Sequence, residues 1–576
     1  MLSDKKINSF FVAPTEARQR RAKWGLITLG TVIWSATTVK SGLVYAFGMG
    51  FWGPHGHDGV WHISLIQSLA RGSFDMPIFA GESIKNYHLG FDLFVAALHR
   101  LTTIPVSYLY FQILPPIFAF LIGWLTYKFV IEWTRSAVSA WWAAFFVYFG
   151  GSLGWIVGRG ESAFWSQQAV STLINPPFAL SLVLLLILLL LLQRQRYILA
   201  GLVLAVLPQV KIYAGVLAFA GLGLAAFKNH RLLKTLLLGL LISLPVNLQL
   251  ITRNQQLINW RPGWFLETMM SFSDRLGWTR FFSAMTNHLQ AGNLPQAFLF
   301  YSGALAIFTF GNLGTRIIAL IFSPRGWPNA DFHPRGGVAP AAHPGGDSNW
   351  RKIFFISVIA AGGLIPMFFL QSGTPWNTIQ FFYYTLFCTA ILAGVSLGEI
   401  IGKIKSRLFV TAVSLTVILF TIPTTYDTLT KVYLPSRPPA KISLQELSAL
   451  QFLARQPRGT VLVPAANPNP YAPPPRPLYL YESTAYVSAF SAQPVFLEDE
   501  VNLNITGYDW PTRRRAVDQF FTTRDPAAAQ KFLAENHIKY LYLPEVATVR
   551  PVLSETDLGL TKLYENSTTA IWGTSN

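Results

Sequence analysis

The chain has 576 residues, of which 52% are hydrophobic and 12% charged, with a formal net charge of +18 and a mean hydropathy of +0.37. A charged fraction roughly half that of an average soluble domain excludes an ordinary soluble protein, and in so apolar a chain the positive excess reads as basic loops beside a bilayer, not as a nucleic-acid surface. The single cysteine, Cys388, excludes an intrachain disulfide, a cysteine zinc site and a redox pair.

A basic tail, 1–23, ends in the run Arg18 to Lys23 and leads into a full-length apolar stretch, so no cleavable signal peptide is expected. Residues 162–193, 281–315, 353–398 and 408–426 contain no Asp, Glu, Lys or Arg. Each is long enough for at least one span of about 20 apolar residues. Reading apolar runs against basic connectors predicts spans near 24–47, 107–131, 138–157, 172–192, a short hairpin of 197–209 and 211–227, then 232–250, 297–322, 353–371, 378–398 and 408–430. The expected fold is therefore a polytopic α-helical membrane protein of roughly eleven transmembrane helices occupying 24–434.

Under this count Arg18 to Lys23, Arg194, Arg196, Lys228, Arg231, Lys234, Arg351, Lys352, Lys403, Lys405 and Arg407 all fall on one side. The positive-inside rule makes that side cytoplasmic. An odd count of crossings places the C-terminal region outside, with the loops 48–106, 158–171, 251–296 and 372–377; the weakest step is the short hairpin around Lys211. The connector 323–350, rich in proline and glycine, reads as a mobile cytoplasmic loop.

After about residue 434 the pattern changes to that of an extracytoplasmic α/β domain, 435–576. Ser443 and Glu446 predict a capping box for a helix to about Arg455, and Thr460 to Pro464 a strand. Pro511 and Asp525-Pro526 each open a helix, Ile538 to Leu543 is a strand, and Leu560 to Tyr564 with Ala570 to Trp572 flank a turn.

Chemistry-bearing residues concentrate in the first outer loop, which begins Phe51-Trp-Gly-Pro-His-Gly-His-Asp-Gly-Val-Trp-His62. An amphipathic helix from Val60 to about Arg71, with Ile63, Ile66 and Leu69 on one face, would lie flat on the membrane and present Asp58 at its surface. Asp58 could act as general base on an acceptor hydroxyl, with His57 and His62 orienting it or bonding a donor phosphate. The bland alternative is that Asp58 only caps the helix. His55, His57, Asp58 and His62 are also plausible zinc ligands, although their spacing fits no HExxH arrangement; no metal site is assigned, and a divalent cation bridging Asp58 to a phosphate stays open. His88 and Asp92 precede a second amphipathic stretch, Leu93 to Ile104, and either face the same cavity or anchor at the interface. Glu82 and Glu161 read as solvated.

Other candidates suit an anionic lipid. Lys211, at the outer turn of the hairpin, could meet a phosphate as a point charge. Lys40 lies near the outer end of the first span and is expected to snorkel. The loop 251–296 carries Arg253, Arg261, Arg275 and Arg280 against Glu267 and Asp274, suited either to phosphate or to ordinary ion pairs. Trp376 could stack on a sugar or sit in an aromatic belt. In the C-terminal region, Glu498, Asp499 and Glu500 could recognise an acceptor and Arg513 to Arg515 an acidic glycan or carrier phosphate; a solvated acidic turn and a basic helix start are the simpler readings.

With these residues in place, the chain resembles the C-type superfamily of integral membrane glycosyltransferases, which includes the protein mannosyltransferases, the aminoarabinose transferases and bacterial relatives. The likeness is one of architecture: an aspartate in the first outer loop, paired juxtamembrane helices, a lysine-bearing hairpin and a trailing outer domain. Members carry an acidic pair or an isolated Asp in that loop, so the resemblance implies that Asp58 is the catalytic base. His57 stands where many members have a second acid, a departure from the pattern. The resemblance further implies a polyprenyl-phosphate sugar as donor, a glycan, lipid or protein acceptor, and a multi-pass protein of the plasma (inner) membrane. The competing classes are a transporter or flippase for a lipid-linked glycan, for which no inverted repeat is visible, and an assembly factor whose outer domain binds a partner.

Overall fold

The computed structural model describes residues 16–252, 258–320, 349–371 and 375–574. Almost all of the proline-rich connector 323–350 lies outside them. Among the described residues, seven helices are long and apolar enough to cross a membrane: Val106–Thr134, Ala137–Val157, Pro176–Gln193, Leu294–Leu320, Trp350–Phe368, Gln380–Lys403 and Arg407–Tyr433. Three shorter apolar helices, Tyr197–Val210, Ile212–Ala226 and Leu232–Asn247, stand beside them. Leu408, Leu419, Phe298 and Leu241 on these helices are exposed. Rows of exposed Leu and Phe on a folded bundle are unfavourable in water and expected in lipid, so this is a multi-pass membrane protein.

Within the bundle, Ala137–Phe149 packs extensively against Gln380–Lys403. Gly394 and Gly398, four residues apart, face Ala143 and Ser139, also four apart. A Cβ added at Gly394 would meet the Ala143 backbone nitrogen at 2.1 Å, and one at Gly398 the Ser139 Oγ at 2.3 Å. Small residues at this spacing let backbones approach and gain dispersion where lipid supplies no hydrophobic drive.

The first helix departs from the expected span over 24–47. It runs Glu16–Ser35 and stops. Thr37 Oγ1 bonds back to the Trp34 carbonyl at 2.7 Å and Thr38 Oγ1 to that of Ser35 at 3.3 Å, which offers the backbone a turn in place of helix. The chain then enters the strands Val44–Tyr45 and Gly48–Phe51. Lys40 accordingly does not snorkel: its Nζ donates to the carbonyls of Tyr433, Leu434 and Pro435 at 3.4, 3.2 and 2.8 Å. A cation there satisfies open carbonyls at a helix C-terminus.

The helix Asp58–Ala70 also differs from the flat, membrane-surface helix its pattern suggests. Both of its faces are covered, with Val60, Ile63, Leu65 and Ile66 each at most 1% exposed. The C-terminal region supplies the second cover, and Ser64 Oγ and Ser488 Oγ lie 2.7 Å apart across the contact. The following helix, Gly90–Thr102, keeps an open apolar edge at Leu93, Phe94 and Leu101.

The C-terminal region is joined to the first loop by backbone pairing. Strand Ala440–Ile442 pairs antiparallel with Gly48–Phe51 and parallel with Arg476–Pro477. Gly48, at φ +113°, is required there, because a Cβ would sit 2.1 Å from the Ile442 carbonyl oxygen. A second sheet runs in the order Thr460–Leu462, Ile538–Pro544, Thr569–Thr574, Leu560–Glu565. Helix Leu444–Ala454 begins with Ser443 Oγ accepting the Glu446 N–H at 3.1 Å, but the Glu446 carboxyl does not close the box and instead accepts from the Tyr542 hydroxyl at 3.2 Å. Asp525 caps Pro526–Glu535 through the Ala527 N–H at 2.9 Å.

Replacing Gly394 with Val is expected to cost about 1–3 kcal/mol by overpacking, seen as a lower unfolding temperature in detergent. Gly402→Ala on the same helix, where a Cβ meets nothing within 4 Å, should leave that temperature unchanged or slightly raised.

Candidate active site

A cavity of about 1190 Å³ opens where the first loop, the helical bundle and the C-terminal region meet. Ligand pockets commonly span about 300–1,000 Å³, so the space suits two substrates side by side. The first loop contributes His57, Asp58, Trp61, His62 and His88 to its wall, the bundle contributes Lys211, Tyr213 and Tyr383, and the C-terminal region Glu482, Glu500, Asn502 and Trp510.

Asp58 is the first residue of its helix and its side chain is 44% exposed, toward the cavity. His57 holds the cap position without a side-chain cap bond, so Asp58 is not spent on capping. Its Oδ1 lies 3.1 Å from His57 Nδ1, and His57 Nε2 lies 3.3 Å from Asp499 Oδ1. A histidine between two carboxylates donates from both nitrogens only as the imidazolium. Burial opposes that charge, but the charge and hydrogen bond of Asp499, joined by those of Asp58, outweigh it and hold His57 well above its ordinary value. For Asp58, burial pushes the carboxyl up. The hydrogen bond and charge of His57, with the charges of His62 and Lys211, reverse this and keep it below the usual carboxylate range. Asp58 is therefore an ionised acceptor at neutral pH.

His62 Nδ1 meets Asp92 Oδ1 at 2.8 Å, both side chains being buried. Burial raises the Asp92 carboxyl and His62 counters it. His62 lines the cavity; Asp92 stands behind it as the partner that orients the ring. His88 also lines the cavity, buried, with Nδ1 unpaired and its basicity pushed down to about 3 by burial and by Lys211. His55 does not reach the cavity. Ser41 Oγ accepts the Trp52 N–H at 3.0 Å and lies 2.8 Å from His55 Nδ1; burial pushes this ring down to about 4.

Lys211 occupies the extended residue between Tyr197–Val210 and Ile212–Ala226. It is 5% exposed, with Nζ 3.4 Å from Asn175 Oδ1 and 5.5 Å from the centre of the Tyr213 ring. Among the described residues it makes no ion pair, which leaves a buried cation facing the cavity for an anionic ligand. Arg275 lines the same wall, donating to Ser162 Oγ at 2.8 Å and lying 4.8 Å from the centre of the Trp165 ring.

Two expected binders lie elsewhere. Arg261 is exposed outside the cavity wall. Arg513 stacks 3.5 Å over Phe79 and donates to the Phe496 carbonyl at 2.8 Å, so it clamps the C-terminal region onto the first loop. The side chain of Trp376 is outside the described residues. The acidic turn is not solvated: Glu498 is buried, accepts the backbone N–H groups of Val487 and Ser488 at 2.7 and 3.1 Å, and is pushed up to about 8 by burial. Asp499 is buried, and Glu500 takes Arg514 at 2.6 Å. Glu161 is not solvated either; it accepts from the Ser171 hydroxyl and the Gln168 N–H, and burial raises it to about 7.

Glu482 joins the site without any local sequence signal, and Asp499, expected to recognise an acceptor, instead meets His57, more than 400 positions earlier. Burial and the charges of Asp58 and Asp499 raise Glu482, against the pull of His57. Among the described residues no group of three His, Cys, Asp or Glu side chains is placed to hold a metal ion. Both His57 nitrogens face carboxylates and His55 faces Ser41, so neither histidine is turned toward a metal ion at Asp58.

No family model matches the chain, and no curated protein matches it. Among solved structures it is similar to the Archaeoglobus fulgidus oligosaccharyltransferase. The form tethered to an acceptor peptide matches over 91% of this chain and 69% of its own, at 11% identity and a TM-score of 0.47. The apo form gives 12% identity and 0.46 over the same shares. The form with an inhibitory peptide and a dolichol-phosphate gives 11% and 0.44, again over 91% and 69%.

Folded His57 binds its proton more tightly than the unfolded chain, whose histidines titrate near 6.5. Its contribution to stability is complete below that value and is lost as pH rises through the raised folded value. The unfolding temperature of the wild type should therefore fall on the alkaline side, and His57→Gln should lack this component of the fall.

Proposed function

We propose that the chain is a membrane glycosyltransferase that moves a sugar from a polyprenyl-phosphate carrier to an acceptor hydroxyl at the extracytoplasmic face, with Asp58 as general base. One observation carries the reading: an ionised, open carboxylate, held by an imidazolium, shares a cavity with a buried lysine that has no ion-pair partner among the described residues. In the proposed step Asp58 takes the acceptor proton as its oxygen attacks the anomeric carbon. The bond from that carbon to the carrier phosphate breaks, and the phosphate leaves with the electron pair. Lys211 and the neutral His88 stand where the growing phosphate charge can be met, and a lipid phosphate needs no strong acid to depart. Trp61 and Tyr213 offer flat faces for sugar rings.

The finer assignment follows the superfamily likeness. Eleven crossings, with the helix Glu16–Ser35 and the three shorter helices counted as spans, put the N-terminus in the cytoplasm and the C-terminal region outside a plasma (inner) membrane. The donor is a hexosyl or pentosyl polyprenyl phosphate, as for protein mannosyltransferase-like and aminoarabinose transferase-like members, and the acceptor a glycan, lipid or protein.

Asp58→Asn should keep a monodisperse, folded protein and lose transfer from a polyprenyl-phosphate sugar by about 10²-fold or more. Undiminished transfer in that variant refutes the base, and a wild type inert with every carrier sugar favours a flippase. For orientation, cysteines placed at Ser406 and at Tyr471, which is 93% exposed, should react differently with an impermeant maleimide added to intact cells. Tyr471→Cys is expected to label and Ser406→Cys to stay silent; the reverse pattern inverts the topology.

A further inference from the structure

Asp58 receives support from a region that begins after the last long helix. The Asp499 side chain is fully buried and meets His57 Nε2 at 3.3 Å. It is itself held by the Asn502 backbone N–H on Oδ1 at 3.1 Å and by Asn502 Nδ2 on Oδ2 at 2.8 Å. Its backbone has φ +51°, a left-handed conformation that non-glycine residues seldom adopt. Around it the segment is tied to the first loop, through Glu498 N–H to the Ile78 carbonyl at 3.0 Å and Asn86 Nδ2 to the Thr506 carbonyl at 2.8 Å. A carboxylate this constrained and aimed at one imidazole nitrogen is placed, not incidental.

We propose that Asp499 is a positioning residue for the base: by anchoring His57 Nε2 it fixes the imidazole plane, keeps Nδ1 on Asp58 Oδ1, and leaves Asp58 Oδ2 open to the acceptor. The inference rests on the reading of Asp58 as the base. Its consequence is that the C-terminal region completes the catalytic group, and the transmembrane part alone holds only half of it. Asp499 would act as the aspartate behind a catalytic histidine does, by selecting the proton state and rotation of the ring, here in service of a carboxylate. His57 faces Asp58 from its own segment and Asp499 and Glu482 from the C-terminal region. Asp58 also feels the charges of His62 and Lys211, and in turn acts on His55 and Tyr481. The two carboxylates that touch the ring therefore dominate its proton affinity.

Asp499→Asn tests this, because Asn caps a helix as well as Asp does while offering His57 no charge. Expected are a kcat lower by about tenfold or more, an unchanged KM for the acceptor, and an alkaline limb of kcat moved to lower pH. In the His57→Gln background the same change should have no further effect on kcat. A second readout does not depend on activity: with isotope-labelled histidine, the His57 resonance, assigned by its loss in His57→Gln, should titrate at least one unit lower in Asp499→Asn, a tenfold change in proton affinity. If Asp58→Asn retains transfer, the base reading fails and the titration still decides the contact. An unmoved His57 midpoint, or losses that add in the double variant, overturns the proposal. Should Asp499→Asn fail to yield monodisperse protein, Asp499→Ser keeps a capping oxygen and withdraws the carboxylate, with the same expected outcomes.

Discussion

The contact on which the rest depends is the seam between the first loop and the segment around 494–508. Val495 donates to the Pro77 carbonyl at 2.7 Å and accepts from Ala80 at 2.9 Å. The Tyr508 hydroxyl donates to the Ser83 carbonyl at 2.6 Å and accepts the Lys85 N–H at 3.0 Å. Backbone groups on both sides would otherwise be buried unpaired, at a cost of several kcal/mol over the seam. Forming it buries the helix Asp58–Ala70 and brings Asp499 to His57.

Charge at the heart of this apolar protein is tolerated by pairing. A buried charge persists where a partner or a hydrogen-bond set meets it. His57 sits between two carboxylates, His62 rests on Asp92, and Arg316 is surrounded by the carbonyls of Leu313 and Asn312. Asp58 keeps one side open to the cavity, and Lys211, with the Asn175 amide oxygen and the Tyr213 ring beside it, makes no ion pair among the described residues. The incomplete satisfaction of these two groups is what sets them apart for a reactive ligand.

Much of the fold was legible because local rules act locally. Asp525-Pro526 and Pro511 start helices where proline is pre-organised for the first turn, and the apolar runs over 176–193 and 380–403 can only be helices in lipid. The expected span over 24–47 outruns the helix because Thr37 and Thr38 look apolar enough to continue it, and only the turn they close reveals the stop. The amphipathic pattern of Ile63, Ile66 and Leu69 marks a face that leaves water. It does not say whether lipid or protein covers it, and it says nothing of the second face that Ser488 and its neighbours cover.

The sequence by itself determined that the chain belongs in a membrane, where its long helices run, and that chemistry-bearing side chains gather at His55 to His62, since composition and short spacings carry that information. Tertiary structure alone decided which of those residues act together. It turned His55 away to Ser41, set Asp92 behind His62, gave Arg513 to Phe79, and delivered Asp499 and Glu482 from the far end of the chain. Such pairings depend on how distant segments pack, and no local pattern encodes a contact made across more than 400 residues.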